Sequence, residues 1–158
     1  MGMIIGYLSS DNKIYTRNGR FIKEFRLEED EEIIEKDNDF YCGGIAKATR
    51  IGGNSVFDKG KCTIIRTNER LILYREIKPR EKMSLHPFLG EALIEALRAK
   101  ELSKLGLKEY IEFQMSEIEK TEKGWLLKGR EIDFRFNGDK YYMIFPKSKK
   151  NTLEDLFR

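Results

Sequence analysis

The sequence predicts an α+β fold, mainly antiparallel β, in which a barrel or strongly bent sheet carries one long packed helix (about 87–105) and a short C-terminal helix. Three observations carry that expectation. Short runs of β-branched, aliphatic and aromatic residues recur between turn signals over most of the chain, Cys62–Thr67 and Leu71–Ile77 being the clearest. After Ile77 the apolar period changes to that of a helix: Leu85, Phe88, Leu89, Ala92, Leu93, Ala96, Leu97, Leu102 and Leu105 form one stripe, with Pro87 in the first turn and Gly106 just past the end. Asn18-Gly19 is the strongest hairpin signal, because a tight type I′ turn needs positive φ at both central residues, and Asn137-Gly138-Asp139 joins the last two strands.

At 158 residues the chain is long enough for one well-buried domain and short for two. Charged residues make up 36% of it, mostly Lys, Arg and Glu, with Gln114 the sole Gln and His86 the sole His, a thermophile-like balance. A net charge of +3 provides no global field to attract nucleic acid, so local patches decide. Cys42 and Cys62 are too few for a disulfide scaffold and lack the close spacing of a zinc site, which leaves buried free thiols as the expectation and a cross-strand disulfide as the alternative. No stretch reaches the roughly 20 apolar residues of a membrane span, and no signal-peptide core precedes Ser9; a cytoplasmic protein is expected, with a peripheral membrane location as a variant of that reading.

Met3–Leu8, Lys13–Thr16 and Arg20–Leu27 read as an N-terminal hairpin extension within residues 1–32, with Arg17 facing Arg20 across Asn18-Gly19. Glu28–Glu32 is acidic enough to predict a solvated turn or helix start. Phe40–Ile51 predicts one long, small-sided strand, in which Gly43 and Gly44 mark a bulge, a bend or a close approach of another backbone, as at a barrel corner. Lys108–Met115, Trp125–Lys128, Glu131–Phe136 and Lys140–Phe145 complete a meander, and Asn151 caps a last helix, Thr152–Phe157.

The central hairpin opens at Gly60, runs through Cys62–Thr67, turns at Thr67-Asn68-Glu69-Arg70 and returns through Leu71–Glu76. It resembles the strand-turn-strand of pleckstrin-homology-like and GRAM-like domains, in which a Gly-opened strand leads into a Thr-Asn-x-Arg-Leu turn. The likeness spans roughly residues 33–157, about four-fifths of the chain, and Ser116–Lys120 matches the short acidic-isoleucine link after the family's fourth strand. The helix at 87–105 replaces a short loop of the family, and the closing helix lacks the tryptophan of pleckstrin-homology domains proper, the sole Trp being Trp125. The resemblance implies a single domain with its core over 33–158, and a binding module for lipids or protein segments with no catalytic role.

The residues give little support to catalysis or to a cofactor. His86 beside Pro87 suits the capping of helix amides, neither cysteine has a sequence-visible base, and the carboxylates lack metal-loop spacing. What remains is charge asymmetry. Between Lys59 and Lys82 eight basic residues meet three acidic ones, and between Glu28 and Asp39 eight carboxylates meet only Lys36. The expected function is a non-catalytic binding domain that takes an anionic lipid headgroup or a protein segment on a basic rim of Lys59, Lys61, Arg70, Arg75, Lys78, Arg80 and Lys82. The alternatives are a structural subunit of a homo-oligomer or larger assembly, joined through its acidic and basic poles, and a nucleic-acid-binding protein, for which Tyr74 is the lone interleaved aromatic.

Overall fold

The computed structural model describes residues 3–50, 52–77, 106–119 and 129–146. Over these the chain forms two antiparallel sheets. The larger contains β1 (Ile4–Leu8), β2 (Lys13–Thr16), β3 (Phe21–Glu24), β4 (Ile33–Cys42), β7 (Gly60–Thr67), β8 (Arg70–Glu76) and β9 (Lys108–Gln114), in the order β3-β2-β1-β9-β8-β7-β4. The smaller contains β5 (Ile45–Thr49), β6 (Gly52–Phe57), β10 (Ile118–Glu119), β11 (Gly129–Phe136) and β12 (Asp139–Pro146), in the order β10-β11-β12-β5-β6.

The alternation expected of the central hairpin sorts its side chains into two cores. Cys62 and Ile64 of β7, Leu71 and Leu73 of β8, and Ile111 and Phe113 of β9 point toward the smaller sheet, where Ile45, Phe57, Tyr141 and Met143 meet them. Ile65, Ile72 and Tyr110 point the other way and pack with Leu8, Ile14, Ile22 and Phe25. Strands buried on both faces read as near-continuous apolar runs, which is the pattern of Leu71-Ile72-Leu73.

The α+β expectation is corrected. The described residues are almost entirely antiparallel β; their sole helical element is the three-residue 3-10 turn Met115–Glu117, and no helix of seven or more residues occurs among them. The larger sheet is buried on both faces without a described helix packed on it. Leu8, Ile14, Ile22 and Phe25 of the β1–β3 region pack on the face carrying Ile65, Ile72 and Tyr110. The helix expected over 87–105, the C-terminal helix Thr152–Phe157 and the strand Trp125–Lys128 lie outside the described residues. No described helix is long and apolar enough to cross a membrane.

Other expectations change in detail. The segment placed in an N-terminal extension enters the large sheet, since β1 pairs along its whole length with β9, from Ile4 with Glu112 to Leu8 with Lys108. Phe40–Ile51 is two strands that belong to different sheets, and the chain crosses at Gly43-Gly44, where the Gly43 amide donates to the Ile144 carbonyl and the Ile144 amide to Gly44. The turn at Asn137-Gly138 has positive φ at both residues, 51° and 80°. At Asn18-Gly19 positive φ occurs at Gly19 alone; Gly19 donates to the Thr16 carbonyl and Thr16 to Arg20, a three-residue loop in which Arg17 no longer faces Arg20. The Arg17 guanidinium instead donates to the Val56 carbonyl at 2.7 Å.

Because both faces of β7 are buried, truncating neighbours of opposite orientation costs a similar amount. Ile64→Ala and Ile65→Ala are each expected to lower unfolding stability by about 2–5 kcal/mol, measured by urea denaturation. A near-neutral Ile65→Ala would mean that the face carrying Ile65, Ile72 and Tyr110 is not a core.

Candidate functional site

The β7–β8 ladder pairs Arg66 with Leu71 through Thr63 with Tyr74, and there it stops. Beyond that point β7 stays with β4, pairing Cys62 with Phe40 and Lys61 with Tyr41. β8 stays with β9, pairing Arg75 with Glu109 and Glu76 with Lys108. The strands therefore part in the middle of a continuous sheet, and an open groove of about 340 Å³ occupies the gap. Asn38, Lys59, Gly60, Lys61, Cys62 and Thr63 line one side, and Tyr74, Arg75, Glu76 and Lys108 the other.

Arg75 spans the gap. Its Nε donates to Glu109 at 2.6 Å, one terminal nitrogen donates to the Lys59 carbonyl at 2.8 Å, and the other lies 3.5 Å from Asp58. Its guanidinium carbon also lies 5.2 Å from the centre of the Phe57 ring. Gly60 makes this approach possible. It has φ of 146°, and a Cβ built there would stand 3.0 Å from the Arg75 terminal nitrogen.

Lys59 and Lys61 are exposed at one lip, and their ammonium groups have no carboxylate partner among the described residues. Opposite them the Lys108 ammonium sits 5.3 Å from the centre of the Tyr74 ring. Glu76 is the acid among the lining residues, and Thr63 and Asn38 supply a hydroxyl and an amide within 3.4 Å of each other. Cations with neutral donors in a half-open groove suit an anionic group. Cys62 also lines the groove, but burial, reinforced by the neighbouring Cys42, pushes its thiol far up, so it stays protonated at neutral pH.

Of the residues proposed for a basic rim, Lys59, Lys61 and Arg75 come together here. Lys78, Arg80 and Lys82 lie outside the described residues. Arg70 does not face solvent: it is 4% exposed, at the far end of the hairpin from the groove. Lys108, Asn38 and Thr63 were missed as site residues. Lys108 reaches the groove because β9 pairs with β8 across a long stretch of chain, and nothing local to Lys108 in the sequence signals that.

Arg70 instead centres a buried charge network. Its Nε and one terminal nitrogen take both oxygens of Glu31, at 2.8 and 2.9 Å, and its other terminal nitrogen reaches Glu112 at 3.2 Å. The Arg26 carbonyl accepts a further bond at 2.6 Å. Thr67 donates to Glu31 at 2.6 Å, Tyr110 donates to Glu112 at 2.7 Å, and the Lys23 ammonium lies 3.0 Å from Glu112. The acidic run expected to stay in solvent thus sends Glu31 inward, because Arg70 satisfies both of its oxygens. Burial alone would push the Glu31 carboxyl up, but hydrogen bonds from Arg70, Thr67 and the Glu28 amide hold it below the ordinary value.

Three measurements follow from this geometry. Arg70→Ala strands Glu31 and Glu112 without their cation and is expected to cost about 3–5 kcal/mol of stability; a loss under about 1 kcal/mol in chemical denaturation would refute the network's role. Because the folded Glu31 carboxyl titrates below 4.5, its contribution is complete above that pH and is lost as pH falls through the folded value. Glu31→Gln should therefore flatten the acid limb of a stability–pH curve, and an unchanged limb would count against the assignment. Cys42, whose thiol burial pushes up to about 11, and Cys62 should both resist a thiol reagent at neutral pH until the protein is unfolded. Comparison with known protein families, with curated proteins and with solved structures finds no match to this chain.

Proposed function

We propose that this chain is a non-catalytic binding domain whose split sheet takes an anionic group, the phosphate of a lipid headgroup or the carboxylates of an acidic protein segment. The single observation that carries this reading is the groove itself, where Lys59, Lys61 and Lys108 surround a gap already braced by Arg75. Arg75 has partners throughout, so it shapes the site and adds a fixed positive field, while the lysines meet the ligand. Each is worth about 1 kcal/mol beside a charged surface. The resemblance of the hairpin to pleckstrin-homology-like and GRAM-like domains supports binding over turnover, and a peripheral membrane location would follow if the ligand is a lipid. Nucleic acid is the lesser reading, because Tyr74 is the one aromatic lining the groove among the described residues and Lys108 stands over its ring.

Co-sedimentation with vesicles of anionic and of neutral lipid, alongside titration with pyrophosphate and with a polyglutamate peptide, tests the proposal at about 50 and 200 mM salt. Binding to at least one anionic probe, weakened by salt, is expected. Lys61→Glu with Lys108→Glu should abolish it in a protein that still folds cooperatively, and Lys47→Glu on the smaller sheet should not alter it. Vesicle binding without polyglutamate binding assigns the lipid, and the reverse assigns the protein segment. No binding to any anionic probe, or binding indifferent to the groove reversal, overturns the reading.

A further inference from the structure

The seven-stranded sheet ends in β3 on one side and β4 on the other, and among the described residues neither has a strand on its outer edge. Such an edge presents unpaired amides and carbonyls that will accept another strand unless something guards it. The exposed large apolar side chains of the described residues collect there. Phe21 belongs to β3, Ile33, Ile34 and Tyr41 belong to β4, and Leu27 lies in the link between them, each at least 42% exposed.

The two edges carry opposite charge. Around β3 stand Arg17, Arg20 and Arg26 against Glu24, while Lys23 turns inward to Glu112. Along β4 and the link before it, Glu28, Glu29, Asp30, Glu32, Glu35, Asp37 and Asp39 stand against Lys36, after Glu31 has turned inward to Arg70. Two β4 edges would repel each other, as would two β3 edges, so a symmetric pairing of like edges is disfavoured. Unlike edges attract, and each brings apolar area to the contact.

We infer that copies of this chain associate head to tail, the acidic β4 edge of one copy against the basic β3 edge of the next. The β4 register against β7 shifts at Ile34 and again between Asp37 and Phe40, which leaves Glu35–Asp37 as the regular stretch between two bulges. Bulges and charges keep an edge from pairing indiscriminately; here the sign of the charge selects the strand that is accepted. The contact uses a different surface on each copy, so it closes into a ring or extends as a chain according to the rotation per step. No groove lysine takes part, and the inference stands or falls separately from ligand binding.

Sedimentation velocity over a range of protein concentrations, at about 50 and 500 mM salt, tests it. Wild type is expected to self-associate at low salt and to weaken by about tenfold or more at high salt, where exposed charges are screened. Arg20→Glu with Arg26→Glu on one edge, or Glu35→Lys with Asp39→Lys on the other, should each give a folded monomer. Phe21→Asp should weaken association through the apolar contact. The chain carrying all four charge reversals has complementary edges again and should regain association, as should an equimolar mixture of the two double variants. A wild type that stays monomeric at every concentration and salt overturns the inference. So does association that survives either double reversal, or a folded fourfold variant that remains monomeric.

Discussion

The Arg70 guanidinium is the charge shared by three parts of the chain, the central hairpin, β9 and the link before β4. It sits at the turn of the central hairpin, takes Glu31 from the acidic link before β4, takes Glu112 from β9, and is capped by the Arg26 carbonyl. Burying these charges separately would cost several kcal/mol each. The arrangement is tolerable because the planar fork of an arginine meets both Glu31 oxygens side by side while its remaining donors reach elsewhere, and Thr67 and Tyr110 supply further donors to the two carboxylates. A lysine has the charge without the fork and would leave at least one of these acceptors unmet.

Five residues further along the same strand, Arg75 works on the opposite face. Strand alternation puts Arg70 on the side of Ile72 and Tyr74, and Arg75 on the side of Leu71 and Leu73. Arg70 closes one end of the hairpin by drawing carboxylates inward. Arg75 spans the other end, where β7 and β8 separate, and ties Lys59 to Glu109 across the gap. The contrast explains why one end of the hairpin is sealed and the other open. It also explains why the groove can hold a fixed cation at its base without collapsing, since that cation is already satisfied by Glu109 and Asp58.

The central hairpin was legible because its information is local: alternation, a polar knuckle and an opening glycine place Gly60–Thr67 and Arg70–Glu76 within the limits that the structure draws. The same held for Lys13–Thr16 and for Asn137-Gly138. What failed was non-local. Gly43 and Gly44 announced a bend, but that the bend carries the chain into a second sheet depends on Ile144, about a hundred residues on. The apolar stripe over 87–105 suggested a helix packed on the sheet, whereas Phe25 and Ile14 are among the residues that pack on the face carrying Ile65, Ile72 and Tyr110. The site was half legible. A cluster of basic residues is visible as a cluster, but whether each points out or in is decided by partners such as Glu31, and Lys108 joins only through strand pairing.

Charge tallies along the chain mislead in a consistent direction here. Arg70 and Glu31 were counted toward opposite poles, yet they neutralise each other inside the protein, so each surface pole is weaker than its sequence suggests. The field that reaches solvent comes from different places: Lys59, Lys61 and Lys108 at the groove, and the unlike edges of the larger sheet. An exposed charge spread over a flat surface is screened within about 8–10 Å in physiological salt. Charges collected where the sheet has parted, or along an unpaired strand, act instead on a partner that arrives with its own unsatisfied groups. Both proposed contacts fall where β pairing is incomplete, one at the gap between β7 and β8 and the other at the two ends of the larger sheet.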